Sequence, residues 1–179
     1  MSESADFQKG LTAYESGDYA TALREWKPLA KQGNASAQHN LGVMYENGEG
    51  VPKNYKTAVK WYRGAAKQGY ASAQTNLGVM YKEGLGEPQN YKTAVKWYRL
   101  AAEQGFASAQ FILGVMYGRG KGVIQDWVYA HMWGNLGASN GNENGGKLRD
   151  IAAKNMTPSQ LETAQKLARE CVRKNYKGC

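Results

Sequence analysis

The chain has 179 residues, 42% of them apolar, which is enough for a sizeable core, and no run approaches the roughly 18 apolar residues of a membrane span. Lys and Arg (23) outnumber Asp and Glu (15), for a net charge of +8. Such a balance admits acidic proteins, nucleic acid or an anionic surface as partners, and the position of the charges must choose among them.

From the N-terminus, the pattern predicts a helix over roughly Ala5 to Ser16, joined by only Gly17-Asp18 to a second helix that starts at Tyr19 and stops at Gly33. The chain then repeats itself. Residues 71–106 copy 35–70 almost letter for letter at a shift of 36, and a third copy covers 107–142. Ala-Ser-Ala-Gln begins at 35, 71 and 107, Leu-Gly-Val-Met-Tyr at 41, 77 and 113, and Tyr-Lys-Thr-Ala-Val-Lys-Trp-Tyr-Arg is identical at 55–63 and 91–99. A fixed period of this size marks a solenoid, whose units are too small to bury an apolar face alone and must stack. The expectation is therefore one domain over 1–179: a variant first unit (1–34), repeats at 35–70, 71–106 and 107–142, and a C-terminal cap (143–179).

Within a unit the spacing of small and large residues dictates two antiparallel helices. Ala73, Leu77, Gly78, Met80 and Tyr81 share one helical face. Gly costs about 1 kcal/mol of helix propensity relative to Ala, so its return at 42, 78 and 114 implies close backbone approach between helices. Gly84 or Gly86 ends the first helix. Ala94, Trp97, Tyr98, Ala101 and Ala102 form the face of the second, and Trp61, Trp97 and Trp133 should stack one indole per unit. After Asn142 the period fades. Helices are expected over Glu143–Lys154 and Pro158–Asn175, the latter opened by the capping sequence Thr157-Pro-Ser-Gln160.

These units resemble the Sel1-like repeat proteins, relatives of the tetratricopeptide repeats. The family unit reads approximately Ala-x-Ala-Gln-x-x-Leu-Gly-x-x-Tyr-x-x-Gly-x-Gly-Val, then Ala-x-x-Trp-Tyr-x-x-Ala-Ala-x-Gln-Gly, and residues 35–106 satisfy nearly every position twice. The third copy departs in its second half, at Trp127, His131, Gly134, Asn135 and Gly137. The resemblance covers about residues 5–142. It implies an all-α fold, a right-handed α/α superhelical solenoid with a C-terminal capping helix, acting as a scaffold or adaptor that binds a protein or extended peptide on its concave face.

In tetratricopeptide relatives, ligand contacts fall at the second, fifth, sixth, ninth, twelfth and thirteenth positions of each unit. Carried here, they are Ser36, His39, Asn40, Val43, Glu46 and Asn47; Ser72, Thr75, Asn76, Val79, Lys82 and Glu83; and Ser108, Phe111, Ile112, Val115, Gly118 and Arg119. The strongest candidates are His39, Asn40, Val43, Thr75, Asn76, Val79, Lys82, Phe111, Ile112 and Arg119. Asn40 and Asn76 either donate an amide to a bound chain or bond the adjacent helix. Phe111 and Ile112 are either an exposed apolar anchor or packed under the C-terminal helices. His39 is either a pH-sensitive contact or an ordinary surface histidine.

Exported relatives carry cysteine pairs with seven intervening residues, the spacing of Cys171 and Cys179. A straight helix would part their Cα atoms by about 12 Å, beyond the roughly 4.4–6.8 Å of a disulfide, so the tail must fold back near Tyr176-Lys177-Gly178. Two reduced thiols are the alternative. A disulfide implies a periplasmic or secreted protein of bacterial type whose signal has been removed; Met1-Ser-Glu-Ser-Ala-Asp6 has no signal character and read literally means cytoplasm.

Catalytic chemistry finds little support. There are two histidines, His39 and His131, with no zinc-binding spacing, and no Ser has a Lys three residues on. Gly48-Glu-Gly50, Gly84-Leu-Gly86 and Gly120-Lys-Gly122 lack the rest of any nucleotide fingerprint and read as helix stops. The expectation is no catalytic residues, no metal and no cofactor. Nucleic acid is disfavoured because the basic residues of 35–70 lie on the loop and second helix; weak self-association through Phe111 remains open. The alternative function, also from the resemblance, is a peptidoglycan- or β-lactam-related binding protein or hydrolase of the cysteine-rich Sel1-like type.

Overall fold

The structure, a computed structural model, describes residues 6–179; the expected start at Ala5 and the rest of 1–5 lie outside them. All regular elements among the described residues are helical. They are α1 (Phe7–Glu15), α2 (Tyr19–Lys31), α3 (Ala35–Asn47), α4 (Tyr55–Lys67), α5 (Ala71–Glu83), α6 (Tyr91–Ala102), α7 (Ala107–Arg119), α8 (Trp127–Ser139), α9 (Gly145–Ala153) and α10 (Pro158–Arg173). Each of the three repeats is one helix pair, as the period requires. The helices gather into two compact units, one ending at Gln89 and one running from Asn90 to Cys179. In the first, α1 to α5 pack successively on one another; in the second, α6 packs on α7, α7 on α8, and α8 on both α9 and α10.

Short side chains start and stop these helices at repeating positions. Asn54 and Asn90 accept hydrogen bonds from the backbone N–H of Thr57 (3.0 Å) and Thr93 (2.9 Å), and Asp126 does the same for Val128 and Tyr129. Gly48, Gly84 and Gly120 end the first helices with φ of 80°, 73° and 62°, a left-handed conformation that costs Gly nothing. The second glycine of each Gly-x-Gly is more than a stop. A Cβ on Gly86 would sit 2.5 Å from the Tyr55 carbonyl oxygen, and Gly50 and Gly122 bear in the same way on Tyr19 and Tyr91. These loops therefore lie directly on the first turn of the preceding repeat's second helix.

Two more devices recur between repeats. Gln38, Gln74 and Gln110 donate their side-chain N–H to the carbonyls of Ala30, Ala66 and Ala102, at 3.0, 3.1 and 3.1 Å. Arg63 and Arg99 donate to the hydroxyls of Tyr81 and Tyr117. The first set satisfies carbonyls left over at helix C-termini.

The core is built on a small residue facing a large one. Trp26, Tyr62 and Tyr98, spaced by 36, are at most 1% exposed. A Cβ on Gly42 would lie 2.5 Å from the Tyr62 ring, and Gly10 meets Trp26 in the same fashion. This corrects two expectations. The buried aromatic of repeats 35–70 and 71–106 is the tyrosine, not the neighbouring Trp61 or Trp97, which are half-buried; and Gly42 makes room for a ring rather than for backbone. At Gly114 the backbone reading holds, since its Cβ would be 3.1 Å from the Ala130 oxygen and 3.2 Å from the Gly134 nitrogen. Gly134 replaces the expected Tyr, and Leu148 of α9 fills the vacated volume, 2.8 Å from the Cβ position of Gly114.

The tail ends on its own lock. Thr157 and Gln160 form the expected capping box. Cys171 and Cys179 stand at bonding distance with Cα atoms 5.6 Å apart. The chain turns back through left-handed Asn175 (φ 52°) and Tyr176 (φ 65°), one residue before the expected segment opens, and Gly178 takes the expected positive φ (68°). Tyr176 then lies on Gly105 and donates its hydroxyl to Asn140 Oδ1 (3.0 Å); the Asn140 amide donates to Gln110 Oε1 (2.8 Å).

Candidate interaction faces

In the first unit, the candidate positions on α3 and α5 form a connected polar patch. His39 is half-buried between the rings of Tyr62 and Tyr70, with centroids at 5.7 and 5.2 Å. Its Nδ1 is 3.2 Å from Asn40 Oδ1 and its Nε2 is 3.4 Å from Asn76 Nδ2. An acceptor on one side and a donor on the other assign the proton to Nδ1 of a neutral ring. Burial holds the His39 pKa below its ordinary value, partly opposed by the Asn40 bond. Tyr62 donates its hydroxyl to Glu46, and burial, reinforced by that carboxylate, raises its pKa.

Asn76 thus bonds the adjacent helix, as one of the two sequence readings has it. Thr75 is 7% exposed and donates its hydroxyl to the Ala71 carbonyl at 2.9 Å. Lys82 is paired with Glu83 at 2.8 Å. Ser36, Val43, Ser72 and Val79 are half-buried, and Asn47 is exposed.

In the second unit the same helix positions have a different character. Phe111, Val115, Gly118 and Arg119 of α7 line one open groove of about 330 Å³ together with Trp127 of α8, Asn144 at the start of α9, and Lys147, Leu148 and Ile151 of α9. Its walls are apolar, and Ile151 is 52% exposed. Phe111 is half-buried and faces this groove, combining both sequence readings: it packs beside the C-terminal helices and still offers a surface. Ile112 is half-buried and Ser108 exposed outside the groove lining. Among the described residues, no three His, Cys, Asp or Glu side chains are grouped to hold a metal ion.

Sequence reasoning missed Tyr62 and Tyr70 around His39, and Trp127 and the whole α9 wall. The Gly134 substitution was the available signal: a buried Tyr lost from the period has to be replaced by something beyond Asn142.

The repeating geometry agrees with comparison to known proteins. The family model "Sel1 repeat" matches residues 35–70, 71–106 and 107–142, more than half of the chain. The chain belongs to the Sel1 repeat family. It is similar to the crystal structure of a Sel1 repeat protein from Oxalobacter formigenes at 30% identity and a TM-score of 0.73, covering 93% of this chain and 75% of that one. It is also similar to c5321, a protective antigen of uropathogenic Escherichia coli strains with an SLR fold, at 30% identity and a TM-score of 0.67. That match covers 95% of this chain but 46% of the antigen. No curated protein matches the sequence. The helix-pair α/α solenoid class is thereby established for this Sel1 repeat chain, and no helix among its described residues is long and apolar enough to cross a membrane.

Proposed function

We propose that this Sel1 repeat chain is a scaffold that binds a protein or extended peptide through the first helices of its repeats, without catalysis. The carrying observation is the groove beside α7, where four of the six positions transferred from tetratricopeptide ligand contacts, Phe111, Val115, Gly118 and Arg119, line one apolar surface. His39, Asn40 and Asn76 supply a polar counterpart on α3 and α5. Repeat 71–106 contributes α5 to one unit and α6 to the other, which supports treating 1–179 as one functional array. The Cys171–Cys179 pair supports residence in an oxidising compartment, periplasmic or secreted.

The test is affinity capture with quantitative mass spectrometry, comparing the unaltered chain with a variant carrying Asn40→Ala, Asn76→Ala and Phe111→Ala. The variant must first match the parent in circular dichroism. A protein captured by the parent and lost by the folded variant supports the reading. Identical capture by both would remove the first-helix faces from consideration.

A further inference from the structure

We propose that the groove between α7 and α9 is a docking slot for an acidic peptide segment that presents a bulky apolar side chain; this specifies the ligand class of the scaffold reading and rests on it. At the fifth position of the unit, His39 and Thr75 give way to Phe111; at the twelfth, Glu46 and Lys82 give way to Gly118; at the thirteenth, Asn47 and Glu83 give way to Arg119. Along α7 the third repeat departs from both earlier ones at four positions: Ile112 lies outside the groove, and the other three line it. Together they add an apolar wall, remove a side chain beside Trp127, and add a cation.

Phe111 and Val115 of α7 and Leu148 and Ile151 of α9 all line the slot, and Gly118 lies against Trp127, where a Cβ would be 3.2 Å from the indole. Arg119, Asn144, Lys147 and Ile151 are exposed, so the slot is open along its rim. An open slot of this size takes one large side chain and leaves the flanking backbone at the rim, where charge is read.

The lining contains Arg119 and Lys147 and no carboxylate. Among the described residues neither cation has an ion-pair partner, whereas Lys82, Arg63 and Arg149 all do. Residues 143–179 add to the field, with eight basic and four acidic residues. Cations at the edge of an apolar surface form charge-assisted hydrogen bonds with carboxylates and repel basic segments.

The test is fluorescence anisotropy on the full chain with a fluorescein-labelled octapeptide, Ser-Glu-Glu-Leu-Phe-Glu-Glu-Ser, beside versions with Lys in place of every Glu or Ser in place of Leu-Phe. The acidic apolar peptide should bind at least about tenfold tighter than either control, and Arg119→Glu with Lys147→Glu should invert the preference toward the Lys peptide. Both residues are exposed, and the variant must first match the parent in circular dichroism. Equal binding of the Glu and Lys peptides, an unchanged preference in the charge-reversed variant, or no binding of any peptide would overturn the proposal. So would displacement of the peptide by sodium laurate at lower concentration than by unlabelled peptide, which would make the slot a fatty-anion site. Partner capture that is lost with Asn40→Ala and Asn76→Ala but indifferent to Arg119→Glu and Lys147→Glu would sink this proposal and leave the scaffold reading standing.

Discussion

Reducing the C-terminal pair should soften the second unit by a calculable amount. Cys171 is 2% exposed, so its sulfur is part of the packing of α10, and the bond closes a sequence separation of eight. In the chain-entropy account, a loop of that length contributes about 2.5 kcal/mol. Opposing it, the left-handed turn at Asn175 and Tyr176 costs about 1 kcal/mol for each non-glycine residue, with Asn the more tolerant. The Tyr176 hydroxyl bond to Asn140 returns about 1 kcal/mol. Cross-link and tyrosine therefore act as one clasp: without the bond, the strained turn that aims Tyr176 at Gly105 has little to hold it. Reduction, or Cys171→Ala with Cys179→Ala, removes a net of about 1.5 kcal/mol and should lower the midpoint of thermal unfolding by about 3–6 °C for a chain of this size, and Tyr176→Phe in the oxidised protein, which loses only the hydroxyl bond, by about 2–4 °C. Circular dichroism melts with and without a phosphine reductant, with thiols counted by mass spectrometry, provide the assay. A fully reduced protein that melts within about 1 °C of the oxidised one, with unchanged amide exchange over α10, would refute the clasp.

Gly42→Ala should destabilise by about 1–3 kcal/mol in urea unfolding, because the added Cβ meets the fully buried Tyr62 ring at 2.5 Å, and overpacking there exceeds the roughly 1 kcal/mol gained in helix propensity. His39 titrates at a lower pH in the folded chain than its ordinary value of about 6.5, so below that pH the unfolded chain takes up the proton first. Stability should hold above pH 6.5 and decline as pH falls toward the folded value, and His39→Gln should flatten that slope in chemical denaturation at pH 7 and pH 5. Glu25 is buried and accepts from the Asp6 backbone N–H at 3.1 Å, with Lys9 and Arg24 nearby; the N–H bond is the main cause holding its pKa down. Its contribution should be present above about pH 4.3 and lost as pH falls through the folded value, an acid limb that Glu25→Gln should remove.

The repeat architecture was legible because it rests on covalent periodicity. Ala-Ala-x-Gln-Gly endings, Gly caps and asparagine or aspartate N-caps recur every 36 residues, and each has a local physical meaning. What escaped was any choice between neighbours on one helix. Trp61 and Tyr62 are adjacent, both aromatic and both periodic, and only the partner helix decides which faces inward. Gly42 admits a ring and Gly114 admits backbone although the flanking Leu-Gly-Val-Met-Tyr is identical, because the deciding residues are Tyr62 in one case and Gly134 in the other. The clasp was legible as a pairing through the family resemblance, but not as a tyrosine lock. The left-handed turn sits at Asn175 and Tyr176, and a tyrosine in that conformation has no sequence signal.

The divergence of the third repeat links fold to proposed function in one substitution. Placing Gly instead of Tyr at 134 removes a buried ring from the center of a helix pair, a change that in isolation would leave a large cavity costing several kcal/mol. Leu148 of α9 enters that space, and Gly145 allows α9 to approach α8 so closely that its Cβ would be 2.6 Å from the Gly134 oxygen. Once α9 is drawn in, its Lys147 and Ile151 line the groove with Phe111 and Val115. Gly134→Tyr should therefore act beyond its own site: it would expel Leu148, displace α9 and abolish peptide binding, whereas Gly134→Ala, with backbone nitrogen of Arg149 3.0 Å from the new Cβ, should weaken both packing and binding in proportion. Binding by a Gly134→Tyr chain whose α9 amides exchange freely would break the link between the packing of α9 and the slot.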